Sequence, residues 1–448
     1  MRVPLSRRKR INVNREVWVV GAGLAGCEAA WQLALRGIRV RLFEMRPEKM
    51  TPAHRTGLFA ELVCSNSLRG AALENAVGLL KEELRRLNSV IMSMADRHRV
   101  EAGGALAVDR WRFAEGVTQK ITEHPLITVV HEELTAIPPG QPAIIATGPL
   151  TSESLADWIR AKTGQAYLYF YDAAAPIVTR ESLNEEVVFA ASRYGKGEAA
   201  YLNCPLNREE YERFWQELKD AECFEGHLPE EKTIFFEGCM PVEVLAARGR
   251  DTLRYGPMKP VGITDPKGNR PYAVVQLRPE NREGTLYNLV GFQTHLKRGE
   301  QERVFRMIPG LEKAEFVRYG MIHRNTYINS PRLLEATLAW RDTPGLFVAG
   351  QITGVEGYVE STAAGLVAGV NLARFVQGKD LLVFPQTTAV GALLHYIATA
   401  EPEHFQPMNV NFGLFPALTA KVRPKFRRYQ ALAARALRDL NSFLALNP

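Results

Sequence analysis

The 448-residue sequence predicts an α/β fold: a parallel sheet wound with helices and interrupted by an inserted α+β domain. Three observations carry that expectation. A β-branched run, a glycine-rich turn and a small-residue helix follow one another near the N-terminus. A second strand–glycine–helix series comes late in the chain. Between them, over roughly 150–320, proline, glycine and tyrosine become frequent, and alternating apolar segments replace helical periodicity.

The first series starts with Glu16-Val-Trp-Val-Val20, read as a strand. Gly21-Ala22-Gly23-Leu24-Ala25-Gly26 follows, and a helix runs on through Glu28, Ala29, Ala30, Leu33 and Ala34 to stop at Gly37. Ile38 to Phe43 is a second strand, ending in Glu44. In this β-turn-α-β context a G-x-G-x-x-G run is a Rossmann-type dinucleotide site. Gly21 makes the tight turn, Gly23 admits a pyrophosphate, and Gly26 lets helix and strand approach closely. The helix N-terminus supplies partial positive charge, and Glu44 is placed to accept hydrogen bonds from an adenosine ribose.

The late series is Gly345-Leu-Phe-Val-Ala-Gly350, then Gln351-Ile-Thr-Gly354-Val-Glu-Gly357, then a helix rich in small residues through Ala364, Gly365, Ala368 and Gly369. With the strand and turn Ala143-Ile-Ile-Ala-Thr-Gly148, it points to FAD rather than NAD as the resident dinucleotide. The late helix is expected to aim its N-terminus at the flavin. There is no second G-x-G-x-x-G, so a nicotinamide cofactor would have no Rossmann half of its own. The domain expectation is therefore 16–150 and 321–448 as the two parts of the dinucleotide-binding domain, 151–320 as an inserted substrate or RNA domain, and 1–15 as a basic arm.

Composition agrees with a globular chain of two or three domains. With 46% hydrophobic and 23% charged residues, it excludes disordered, collagen-like and small disulfide-scaffold classes. No run of eighteen apolar residues suggests a membrane span, and the first fifteen residues lack the apolar stretch of a secretory signal. The five cysteines, Cys27, Cys64, Cys204, Cys223 and Cys239, are odd in number and free of CxxC spacing. That fits reduced thiols in the cytoplasm, with no metal expected.

The net charge of +7 hints at a polyanionic partner. Lys421, Arg423, Lys425, Arg427 and Arg428, interleaved with Phe426 and Tyr429 at the start of an amphipathic C-terminal helix, form a candidate phosphate-contact surface. A solvated basic helix face is the plain alternative. His323, Arg324 and Asn325 are read as a loop able to hold an anionic or pteridine-like ligand. Cys64, in Glu61-Leu-Val-Cys-Ser-Asn-Ser-Leu68, and Cys239, in Phe235-Phe-Glu-Gly-Cys-Met-Pro-Val242, are the candidate reactive thiols. Cys27 reads as a packing residue; Cys204 and Cys223 have no chemical context in the sequence.

Further stretches resemble one family closely: Phe43-Glu-Met-Arg46-Pro47, Thr51-Pro-Ala-His54, Ala102-Gly-Gly-Ala-Leu-Ala-Val-Asp109, Tyr255-Gly-Pro-Met-Lys-Pro260, Arg270-Pro-Tyr-Ala-Val-Val-Gln276, His323-Arg-Asn-Thr326 and Phe405-Gln-Pro-Met-Asn-Val-Asn-Phe-Gly413. With the glycine motif and the two cysteine motifs, the chain is similar to the folate- and FAD-dependent tRNA uracil-5 methyltransferases, the TrmFO family, from about residue 16 onward. The resemblance implies a GidA-like FAD-binding fold in which Glu44 and Arg46 join the glycine motifs at the cofactor. It also implies catalytic roles for Cys64 and Cys239, and tRNA as the partner. The implied reaction is methylation of the T-loop uridine at C5. 5,10-Methylenetetrahydrofolate gives the carbon, and FADH2, reloaded by NADH or NADPH, gives the hydride.

Four other readings stay open: the same chemistry on ribosomal RNA, an NAD(P)H-dependent flavin oxidoreductase that never meets RNA, an RNA-binding protein with FAD as a prop, and a GidA-like wobble-uridine enzyme with a GTPase partner. The sequence allows a homo-oligomer.

Overall fold

The computed structural model describes residues 2–3, 16–164, 168–195, 199, 201–224, 240–281 and 284–447; for 2–3, 168–174, 321–325 and 404 it describes the backbone alone. The chain opens with β1 (Val17–Val20), α1 (Leu24–Ala34) and β2 (Val40–Glu44). Helices α2 (Ala76–Arg86), α3 (Val90–Arg97) and α4 (Arg110–Thr122) lead to β3 (Ile127–His131) and β4 (Ala143–Ile145). Val17 and Val19 are fully enclosed and α1 is buried along nearly its whole length, as expected of a parallel sheet covered on both faces.

The chain then crosses to a second body through β5 (Leu168–Ala174). There it forms β6 (Ile177–Thr179), β7 (Phe189–Ala190), β8 (Leu202–Leu206), α5 (Arg208–Asp220), α6 (Val242–Ala247), β9 (Ala273–Pro279), β10 (Leu286–Leu289) and β11 (Phe316–Arg318). Their antiparallel sheet has the order β7-β8-β9-β10-β6-β11 and its own apolar core, including Tyr211, Phe214, Phe292 and Phe305. β12 (Met321–Tyr327) returns antiparallel to β5, so two strands bridge the bodies.

Back in the first body, β13 (Leu346–Val348) completes a five-stranded parallel sheet, order β13-β4-β1-β2-β3. Helices α7 (Tyr358–Val376), α8 (Ala389–Thr399) and α9 (Lys425–Leu446) follow.

One expectation is corrected. His323, Arg324 and Asn325 lie in a strand, opposite Asp172, Tyr171 and Phe170, and not in a loop. Ladder pairing with a strand 150 residues away overrides the local polarity that suggested a turn. Arg2–Val3 pairs antiparallel with Leu381–Leu382. Residues 4–15, including Arg7 to Arg10, lie outside the described residues.

The small residues of α7 have a packing role the sequence left unassigned. A Cβ on Gly365 would come within 2.2 Å of the Ala25 carbonyl oxygen, and one on Gly369 within 2.7 Å of that of Ala29. The glycine stripe lets α7 lie directly on α1. No described helix is long and apolar enough to cross a membrane.

Candidate active site

A cleft of about 1030 Å³, counted with its open mouth, runs along the carboxyl ends of the parallel strands. Its floor is the turn between β1 and α1, where Gly21, Gly23, Leu24 and Ala25 line it. The space where Gly23 would carry a Cβ has no heavy atom within 4 Å. No side chain caps the first turn of α1, so its amides are free of a side-chain acceptor. The two features together form an anion cradle. Gly26 stands behind the wall: a Cβ there would lie 1.7 Å from the Gly21 carbonyl oxygen. Gly21 itself has φ +96° against the Ala146 carbonyl.

Glu44, at the end of β2, faces the same cleft. Its Oε2 accepts the Ala22 amide at 2.8 Å, and its Oε1 accepts Arg46 Nε at 2.9 Å. Burial alone would raise the Glu44 carboxyl; the Arg46 guanidinium and these hydrogen bonds outweigh it and hold the group below its ordinary range. Arg46 is 2% exposed and is engaged by Glu44, Glu61 and the carbonyls of Thr56 and Leu58. It therefore touches the cleft mainly as the clamp on Glu44. Gly350 and Gln351 line the opposite wall with Tyr358 and Ser361; Gly354 and Gly357 sit behind it, against the Phe405 ring and the Glu360 carboxylate.

Cys64 lies at the Tyr358 end. Its backbone amide donates to the Tyr358 hydroxyl at 2.8 Å, and the Ser65 amide donates to the same oxygen at 3.3 Å. Three arginines hold the surrounding loop. Arg110 at the start of α4 donates to the Leu62 carbonyl and pairs with Glu280 at 2.7 Å. Arg318 of β11 donates to the Val63 carbonyl. Arg278 of β9 donates to Ser65 Oγ at 2.6 Å and Asn66 Oδ1 at 3.0 Å. Two strands of the inserted sheet, β9 and β11, thus hold the loop that carries the thiol.

Burial, then the neighbouring charge of Arg110, lowers Arg318; burial also opposes the charge on Arg110, but Glu280, Tyr358 and Cys64 together raise it. A negative charge on Cys64 would act on both guanidiniums and on Tyr358. Burial pushes the Tyr358 hydroxyl up. Arg318 Nε and Glu280 Oε1 are buried with no hydrogen-bond partner among the described residues.

Cys239 lies outside the described residues. The side chains of His323, Arg324 and Asn325 also lie outside the description. Lys421 and Arg423, just before α9, and Lys425, Arg427 and Arg428, in its first turn, are exposed and do not line the cleft. Phe426 is exposed beside them, and Tyr429 packs on Phe412 with ring centroids 4.6 Å apart. Cys27 and Cys204 are fully enclosed, and burial pushes both thiols far up.

Sequence reasoning missed Tyr358, Arg110, Arg278, Arg318 and Glu280. Tyr358 opens the recognised small-residue helix, a position that signals a role at the cleft. The four charged groups sit in unrelated segments, and only folding brings them to the thiol.

A family model described as Glucose inhibited division protein A matches residues 16–380. A methylenetetrahydrofolate--tRNA-(uracil-5-)-methyltransferase TrmFO from Desulforudis audaxviator is 66% identical over 430 residues, covering 96% of this chain and 98% of the relative. The protein of that name from Bacillus licheniformis is 61% identical, covering 96% of this chain and 99% of the relative. The solved structure of Aquifex aeolicus GidA superposes with a TM-score of 0.70 at 17% identity, over 95% of this chain and 73% of that one. This likeness supports the fold.

Proposed function

The chain belongs to the TrmFO family of methylenetetrahydrofolate--tRNA-(uracil-5-)-methyltransferases, and from that premise we propose that it methylates the T-loop uridine of tRNA, position 54, at C5 in the cytoplasm. It is an FAD-dependent enzyme with 5,10-methylenetetrahydrofolate as one-carbon donor. The observation that carries the reading is a cleft with a dinucleotide cradle on its floor and Tyr358 on its wall, the residue whose hydroxyl accepts the amide of Cys64 in a loop held by Arg110 and Arg318.

FAD fits the residues present: an open Gly23, uncapped amides at α1, and a carboxylate at Glu44 with its orientation fixed by Arg46. When bound and reduced by NADH or NADPH, it supplies the hydride that completes the methyl group. The protein's own part is to make uracil C5 nucleophilic. A thiolate adds to C6, forming an S–C6 bond and an enolate whose C5 attacks the one-carbon unit. A base then removes the C5 proton as the one-carbon unit's bond to its carrier nitrogen breaks, leaving an exocyclic methylene on the ring; once that carbon has taken a hydride, elimination breaks the S–C6 bond and returns the thiolate. Cys64 and Cys239 divide these duties, with Cys64 the thiol nearer the cofactor. Arg110 and Arg318 supply the positive surroundings a thiol needs to ionise. The exposed Lys421–Arg428 series contacts RNA phosphates, while an extruded loop uridine reaches the thiols at lower cost than a paired one.

The test is incubation with bulk RNA, labelled methylenetetrahydrofolate and NAD(P)H without S-adenosylmethionine, followed by mapping of the labelled nucleotide. Label at the T-loop uridine is expected. Label only in ribosomal RNA, or none, sinks the proposal. Cys64→Ala and Cys239→Ala should each abolish turnover while the protein stays yellow; normal methylation by both would overturn the assignment of the thiols.

A further inference from the structure

A second cluster of reactive side chains lies in the inserted domain. Cys223 follows α5 and forms an isolated antiparallel bridge with Leu296. The Phe224 amide donates to the His295 carbonyl at 2.8 Å, joining the two segments beside the cluster. Glu243, in the first turn of α6, accepts the His295 amide at 2.8 Å and the Thr294 hydroxyl at 2.8 Å. The same carboxylate meets the His295 ring at Nδ1.

One ligand atom each from Cys223, Glu243 and His295 falls within 4.8 Å of the other two. Glu243 is 5% exposed, and Cys223 and His295 are half-buried, so the set is fixed on its inner side and open on its outer.

We propose that Cys223, His295 and Glu243 bind a divalent cation of the zinc class. The donor chemistry selects the ion. A thiolate, an imidazole and a carboxylate form the S/N/O set of zinc, whereas magnesium and calcium require oxygen ligands. Three protein ligands leave one tetrahedral position to water, in keeping with the open outer side. Thr294 and the His295 amide orient the carboxylate from behind, as outer partners do in established metal sites. The bound ion would tie together the chain before residue 225, the start of α6 and the turn after Phe292. It thus provides a cross-link between segments that also share the apolar core of the inserted domain.

The experiment uses the full-length, FAD-loaded protein, stripped with chelator and titrated with Zn2+ and, separately, Co2+. One equivalent of Zn2+ retained through gel filtration is expected, with a sulfur-to-cobalt charge-transfer band in the Co2+ form. Cys223→Ser should lose the band and the retained zinc, and Thr294→Val should weaken binding by roughly 10- to 100-fold. Cys64→Ala should bind as the unaltered protein does. No stoichiometric binding by the unaltered protein overturns the proposal, as does full retention by a Cys223→Ser variant with an unchanged circular dichroism spectrum. Metal content is the readout, so the outcome is independent of methyl transfer.

Discussion

Arg318 shows how one residue links the two bodies of the protein. It belongs to the inserted sheet, yet its guanidinium donates to the Val63 carbonyl, one residue before Cys64. Arg318→Gln removes a half-buried cation from the neighbourhood of the thiol. Alkylation of Cys64 by iodoacetamide at neutral pH, followed by mass mapping, should slow severalfold; an unchanged rate would remove Arg318 from thiol activation. Buried Cys27 and Cys204 should remain unlabelled in the folded protein, because enclosure disfavours their thiolates. At this scale the sequence was partly legible. Cys64 stood out by its motif, whereas the cations that serve it come from positions 110, 278 and 318 and carry no local signal.

Among the elements, α1 was the most legible, because its glycines answer to rules that operate within a single β-turn-α unit. Two of them nevertheless do different work, and substitution separates the two. A side chain on Gly26 collides with the Gly21 carbonyl, so Gly26→Val should displace α1 and cost several kcal/mol of stability, read as a large fall in the urea midpoint. Gly23 borders empty space in the cleft, so Gly23→Val should fold with a nearly unchanged midpoint and lose FAD on gel filtration. If Gly23→Val retains FAD as the unaltered protein does, the cradle is misassigned. The strand β12 was the least legible, since its partner β5 lies far away in the chain and pairing is decided by register between them.

Across the whole molecule, buried charge makes stability depend on pH. Glu28 is enclosed in α1, where it meets Ser89 Oγ at 2.6 Å and Gln32 Nε2 at 2.9 Å. Burial raises its carboxyl from 4.5 to about 7 despite these donors. The folded state then holds a proton that the unfolded chain releases. The stabilising contribution is complete below pH 4.5 and disappears as pH rises to about 7. Glu28→Gln should flatten the stability profile over that window by about 1 kcal/mol per pH unit. Parallel profiles for the two proteins would contradict this.

The basic start of α9 is tested by salt. Replacing Lys425, Arg427 and Arg428 with glutamine should weaken tRNA binding and shallow its log–log salt slope by about 0.7 per lost phosphate contact. An unchanged slope would make these residues a solvated face.

The sequence alone determined the parallel half, the glycine turn Gly21–Gly26 with Glu44 at the end of the next strand, and the candidacy of Cys64. These rest on short-range rules, in which one turn, one helix terminus and one strand end suffice. Tertiary structure decided the clamp of Arg110, Arg278 and Arg318 around Cys64, the use of the α7 glycines to seat that helix on α1, and the meeting of Cys223, Glu243 and His295. Each of these joins residues dozens to hundreds of positions apart. The first depends on how two sheets with separate cores are placed by the β5–β12 bridge, the other two on packing within one core, and no local pattern encodes either.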